Sequence, residues 1–217
     1  MKWANREQAG KYLAEVIAKQ LVLEKPYVLA IPRGGIIVAN EIAKILNCPL
    51  DVIVSRKIRH PHNEEFAIGY VCEDYSPVLG FKPWDLQCKA FQIERNIDRA
   101  IEEVWQKVEL FRGGEPLPDF EGYDVLIVDD GIATGWTVQG AIAYLTFRRK
   151  PKSVSLVLPV MSEKEYKIFQ SKVRVICGTI IPEELFYAVG QAYEDFRPGE
   201  DEEVLEILKE GRENNRG

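Results

Sequence analysis

This chain predicts an α/β fold, a doubly wound and mostly parallel sheet of about five or more strands flanked by helices. Short apolar runs rich in β-branched residues alternate with stretches of helical spacing. Such continuous apolar runs belong to parallel strands covered on both faces. Two of the runs end in glycine-bearing loops that lead straight into helical patterns, and charged residues sit in both joints.

From about Arg6 to Leu23 the residues Ala9, Leu13, Val16, Ile17 and Leu21 recur at helical spacing, an amphipathic opening helix that Lys25-Pro26 ends. Tyr27–Ile31 is the first buried strand. Pro32-Arg33-Gly34-Gly35 follows it, and Ile36–Leu46 reads as a helix stopped by Asn47-Cys48-Pro49. Asp51–Ser55 is the next strand. A polar, turn-rich loop over Arg56–Glu65 then separates it from Phe66–Val71, where β character resumes. Pro83 to about Arg112 predicts one long inserted helix, with Ile93, Ile97, Ala100, Val104 and Val108 on one side and Gly113-Gly114 as its stop. Val125–Val128 is a central strand, and Thr137 to near Pro151 is its helix. Ser153–Pro159 and Lys172–Cys177 are further core strands. Between them Ser162 caps a short helix with Glu165 at its third position. Leu185–Phe196 is aromatic and broken by Gly190, matching neither periodicity. A terminal helix covers Val204–Lys209 behind the acidic run 200–203, and Glu213–Gly217 is expected to fray.

Length and composition set the class. The 217 residues, 46% hydrophobic and 29% charged, suffice for a single globular domain over residues 1–217. A net charge of −6 argues against a broad nucleic-acid or anionic-membrane surface. No apolar run approaches the roughly 18 residues of a spanning helix. The first residues lack a secretory apolar region, so a cytoplasmic location is expected. Cys48, Cys72, Cys88 and Cys177 are scattered without paired spacing, which favours reduced thiols over a zinc site or disulfides.

The chemistry concentrates in Val125–Thr137. Asp129 and Asp130 end the strand abruptly, and two adjacent carboxylates are costly to bury. They belong at the carboxyl edge of the sheet, facing a cleft. Gly131 and Gly135 free the backbone of the loop that follows. A loop of this kind exposes N–H groups at a positive helix N-terminus and cradles phosphate. It is no Walker loop, having no Gly-Lys-Ser/Thr, and no dinucleotide fingerprint, which needs three glycines and a later acid. A ligand must bring a phosphate to the loop and hydroxyls or a metal to the acids. Ribose 5-phosphate fits.

The same stretch resembles the phosphoribosyl-pyrophosphate (PRPP) binding motif of type I phosphoribosyltransferases: a hydrophobic strand, two acids, a short loop and a closing Thr134-Gly135-Trp136-Thr137. Gly131 departs from the aliphatic residue usual in that family and is expected to loosen the turn. The resemblance implies that family's fold, with a small hood at about 182–217. It also implies PRPP contacts from Asp129, Asp130, Gly131, Ile132, Ala133, Thr134, Gly135, Trp136 and Thr137. Arg33, Gly34 and Gly35 take the place of the pyrophosphate loop, with Pro32–Arg33 at the position of a cis peptide bond. Arg56–Glu65 matches a mobile loop that closes over the site, where Arg56, Lys57 and Arg59 would bring positive charge to the diphosphate. Asn63–Gly69 resembles a little-characterised phosphoribosyltransferase subgroup, with Glu64 where a proline is usual. His60 and His62, split by a proline and lacking a third ligand, do not form a metal site.

Further expectations follow from the resemblance. The reaction is a Mg²⁺-dependent transfer of ribose 5-phosphate from PRPP to a nucleobase or related nitrogen acceptor, a pentosyl transfer of the salvage type. Asp129 and Asp130 would hold the ribose hydroxyls and, through water, the metal. Arg33 and Lys57 would serve the leaving diphosphate. In hypoxanthine–guanine enzymes an aspartate inside the phosphate loop carries the proton; Ala133 occupies that place here, which turns attention to Glu64 and Glu65. Tyr193 or Phe196 would stack on the base and Asp195 would accept from it. The long helix could pack a homodimer. A non-catalytic PRPP-sensing regulator is the alternative, as is a hydrolase or a salvage enzyme for a non-purine acceptor.

Overall fold

The structure, a computed structural model, describes residues 2–214. The expected fraying of Glu213–Gly217 falls partly outside the described residues, since 215–217 are not among them. The chain forms two compact units. Met1–Val52, Asp119–Ala133 and Arg149–Gly217 make the first, and Ile53–Pro118 with Thr134–Arg148 the second.

The first unit is built on a five-stranded parallel sheet. Its strands are β1 (Pro26–Ala30), β2 (Leu50–Val52), β6 (Asp124–Val128), β7 (Ser153–Ser162) and β8 (Arg174–Ile181). They pair in the order β2-β1-β6-β7-β8. β6 is buried along its whole length, as its unbroken apolar run requires. Four helices belong with this sheet: α1 (Arg6–Gln20), α2 (Gly35–Leu46), α5 (Glu163–Phe169) and α6 (Asp201–Asn214). Asn5 caps α1 by accepting the Gln8 N–H at 2.9 Å. Ser162 Oγ accepts the Glu165 N–H at 3.2 Å, the expected cap of α5. At the amino edge Asp124 takes the Ser153 hydroxyl at 2.6 Å and the Glu24 N–H at 2.9 Å, joining the starts of three adjacent strands.

In the second unit β3 (Arg56–His60), β4 (Asn63–Val71) and β5 (Pro77–Leu79) form an antiparallel sheet. The helices α3 (Ala90–Arg112) and α4 (Trp136–Tyr144) pack on it. The expectation of a polar loop over Arg56–Glu65 is corrected here: the segment is the hairpin of β3 and β4, turning at Pro61-His62. Its charged residues occupy a strand that keeps only Ile58 buried, so polarity marked an exposed strand and not a loop. The long inserted helix also starts later than expected. Pro83–Leu86 is a separate 3-10 turn, and Gln87 with positive φ breaks the chain before α3 begins. Among the described residues no helix is long and apolar enough to cross a membrane.

One buried ion pair ties the far end of α3 to the end of β4. The Arg112 guanidinium meets both oxygens of Glu73 and donates through Nε to the Glu115 carbonyl at 2.9 Å. Glu73 also accepts the Val54 N–H at 2.8 Å. Both side chains are under 5% exposed. Removing one partner strands the other charge out of water. Arg112→Met is expected to cost about 3–5 kcal/mol, read as a lowered urea midpoint, whereas replacing both partners with apolar residues should recover much of the loss.

Candidate active site

The strand order places a reversal between β1 and β6. The chain leaves β1 toward β2 on one side, and later elements continue from β6 on the other. Ligands of open parallel sheets bind beyond the carboxyl ends of the strands at such a point. Both glycine-bearing joints emerge there. Ile31 donates to the Val128 carbonyl at 2.8 Å, so the two strands finish in step. The chain then turns through Pro32–Arg33, whose peptide bond is cis, into α2. Gly34 does not owe its place to unusual dihedrals, for its φ is −60°. What it supplies is room: a Cβ at Gly34 would overlap Oδ2 of Asp130, and one at Gly35 would lie 2.8 Å from the Val128 carbonyl oxygen. Backbone and carboxylates are therefore in direct apposition.

The acidic pair is half-buried. Asp129 Oδ1 accepts the Asp130 N–H at 2.8 Å. Asp130 Oδ2 receives Nε and Nη2 of Arg6 at 2.8 and 2.7 Å, from side chains 15% and 6% exposed. The third guanidinium nitrogen of Arg6, Nη1, donates to the Arg197 carbonyl at 2.7 Å. The ring of Phe196 lies 4.1 Å from the guanidinium carbon. Tyr193 stacks on Phe196 with centroids 5.1 Å apart and donates its hydroxyl to the Asp130 carbonyl at 2.6 Å. Burial raises the Asp129 carboxyl well above the usual carboxylate range, and the neighbouring Asp130 charge adds to the rise. Burial also raises Asp130, against the opposing pull of Arg6. Asp124, at the other end of the same strand, shows the contrast. Burial pushes it up too, but the Ser153 hydroxyl and two N–H groups outweigh that and leave it below the ordinary value. The amino-end acid is held by neutral donors, whereas the carboxyl-end pair is held by Arg6, by one N–H and by contact between its own two carboxyls.

The structure brings Asp129, Asp130, Gly34 and Gly35 together. Arg33 is exposed and makes no ion pair among the described residues. Gly131 has a positive φ of 154°, and the side chains of Val189 and Val160 fill the space a Cβ would need. Ile132 is buried and donates to the Val160 carbonyl at 3.3 Å, while Ala133 is exposed. Tyr193 is 3% exposed and belongs to a cluster with Trp3, Ala9 and Val160, so it offers no open face for stacking. Asp195 and Phe196 are exposed.

Within the second unit Thr134 is exposed and Thr137 half-buried, and Gly135 has a positive φ of 67° just before α4. The half-buried Trp136 ring packs over Gly80 beside Tyr70 and Phe81. Arg56 lies 3.8 Å from Glu103, Lys57 is half-buried, and Glu64 and Glu65 are exposed on β4. Cys88 Sγ lies 3.3 Å from His60 Nε2, which also meets the Leu86 carbonyl.

Arg6 is the site residue that the sequence-based expectations missed, and a signal for it existed. It falls three, seven and eleven positions before Ala9, Leu13 and Ile17, on the buried stripe of α1. A cation on an apolar stripe needs a buried partner.

The raised carboxyl of Asp129 has a consequence for stability. The folded protein binds its proton more tightly than the unfolded chain does, so stability falls as pH climbs from about 4 toward the folded value, and the deficit persists above it. Without ligand, Asp129→Asn is expected to melt above the parent protein at pH 7. Thermal scans across pH should show that advantage shrinking to nothing below about pH 4.

Known proteins converge on the same assignment. Residues 2–197 match the model of the phosphoribosyl transferase domain. Two Mycobacterium tuberculosis proteins, Rv0571c of strain H37Rv and MT0597 of strain CDC 1551, bear provisional phosphoribosyl transferase names. Each is 36% identical over 209 residues, covering 94% of this chain and 46% of the relative. The chain thus spans about half the length of these curated relatives. The crystal structure of TT1426 from Thermus thermophilus superposes with a TM-score of 0.79 at 37% identity, covering 97% of this chain and 99% of that one. By its sequence, its sheet order and the joint at Asp129-Asp130, this chain belongs to the phosphoribosyl transferase domain family.

Proposed function

We propose that the chain transfers ribose 5-phosphate from PRPP to a nitrogen acceptor, a nucleobase or a relative of one, with release of pyrophosphate. In this reading it is a Mg²⁺-dependent salvage enzyme of the cytoplasm. The observation that carries the reading is the meeting of the Gly34-Gly35 joint with Asp129 and Asp130 at the reversal of the parallel sheet.

The two carboxyl groups lie within hydrogen-bonding reach of each other, and a ligand's hydroxyls would take the place of that contact. Asp129 spends Oδ1 on the Asp130 N–H, and Asp130 spends Oδ2 on Arg6. The remaining oxygens suit the two hydroxyls of a ribose. The contiguous residues Gly131–Thr137 supply N–H groups for its 5-phosphate, and Arg33, exposed and without an ion-pair partner among the described residues, supplies a forked donor for the diphosphate. As the bond from C1 to the diphosphate oxygen breaks, C1 gains positive character that the neighbouring carboxylates favour. The acceptor nitrogen then bonds to C1 and gives up its proton. Ala133 cannot take that proton, and we assign the task to Glu64 or Glu65.

The residues fit Mg²⁺. Among the described residues no group of three potential ligands stands ready to cage a metal, but Mg²⁺ is commonly held by one or two carboxylates together with substrate phosphates. Asp129 and Asp130 would hold it, directly or through water. Bound there, it would offset diphosphate charge and make pyrophosphate a better leaving group.

Calorimetry with PRPP and Mg²⁺, followed by pyrophosphate release against a panel of bases, tests the proposal. Binding and turnover on one acceptor are expected. Binding with no turnover on any base would favour a sensor, and no binding would sink both readings. Asp130→Asn should weaken PRPP binding about tenfold to a hundredfold, since a charged hydrogen bond is lost; unchanged binding would remove the pair from the site.

A further inference from the structure

Arg6 has three features that a merely structural arginine does not combine. Its guanidinium is almost wholly buried, all three of its nitrogens are engaged, and two of them converge on a single carboxylate oxygen. Its planar fork leaves it little freedom, and the Phe196 ring covers one face. Asp130 is correspondingly immobile. Oδ2 is held by Arg6, the main-chain carbonyl by the Tyr193 hydroxyl and the N–H by Asp129. No space exists for the carboxylate to swing toward α2, because Gly34 already lies against Oδ2.

The charges facing Asp130 are Arg6 from α1 and Asp129 from its own strand end, with the neutral Tyr193 hydroxyl from the hood segment. Arg6 grips Oδ2 with two nitrogens of a planar fork, so it fixes the orientation of the carboxylate while making no contact with its other oxygen.

We propose that Arg6 is the positioning residue of the acidic pair, fixing the Asp130 carboxylate so that the oxygen Arg6 does not hold selects a sugar with an intact vicinal diol. The inference rests on the phosphoribosyl reading of the site. It adds a specificity determinant from the opening helix, and it makes the hood segment 193–197 part of ribose recognition. Arg6 reaches Asp130 only while Arg197 and Phe196 hold it.

The test uses the intact chain, with Arg6→Met and Arg6→Lys. Calorimetry measures the binding of PRPP, ribose 5-phosphate and 2-deoxyribose 5-phosphate. The parent protein is expected to prefer ribose 5-phosphate to the deoxy analogue. In Arg6→Met, affinity for PRPP and ribose 5-phosphate should fall at least tenfold and the preference should shrink. Arg6→Lys should restore part of each. Equal fold-losses for both sugars, or no loss at all, would overturn the proposal. Should Arg6→Met not fold, the lysine variant carries the same test with smaller shifts. Failure of the parent protein to bind PRPP would instead overturn the phosphoribosyl reading, and this inference with it.

Discussion

The ion pair of Arg6 with Asp130 is the constraint around which the first unit is arranged. It joins the opening helix to the end of the central strand, and through the Arg197 carbonyl and Phe196 it fastens the segment before α6 to both. Trp3 extends the same attachment. Its N–H donates to the Ala192 carbonyl and its indole to Pro159, while its own carbonyl accepts from Glu194. Segments far apart in the chain thus meet beside the acidic pair at the carboxyl end of β6. A buried ion pair is weak evidence for stability, because desolvation offsets much of its attraction. Its placement sets a buried cation against the acidic pair at the carboxyl end of the central strand.

Much of this was legible in the sequence. Parallel strands buried on both faces leave apolar runs that need no tertiary context, so β1, β6 and the core of β7 could be placed within a residue or two. The acidic pair and the two glycine joints were legible because their chemistry is local. The cis bond at Pro32–Arg33 followed from family resemblance alone.

What escaped depended on partners distant in sequence. The β3–β4 hairpin hid behind its charges, because a strand with one covered residue in five shows no alternation. Tyr193 looked like a free aromatic until Trp3, far away in the chain, enclosed it. Gly131 gave no sign in the sequence that Val189, far along the chain, packs where its Cβ would lie. Arg6 carried a readable cue, a cation on a buried stripe, but nothing nearby in the chain named Asp130 as its partner.

The apposition of Gly34 to Asp130 has a consequence for how this chain can vary. The two positions compete for one volume, so a side chain at 34 and a carboxylate at 130 exclude each other. Arg33, next door, is exposed, yet a Cβ at Gly199 would lie 3.1 Å from the Arg33 Cβ. Positions 34 and 130 form one steric unit: the carboxylate keeps its place only while 34 stays without a side chain.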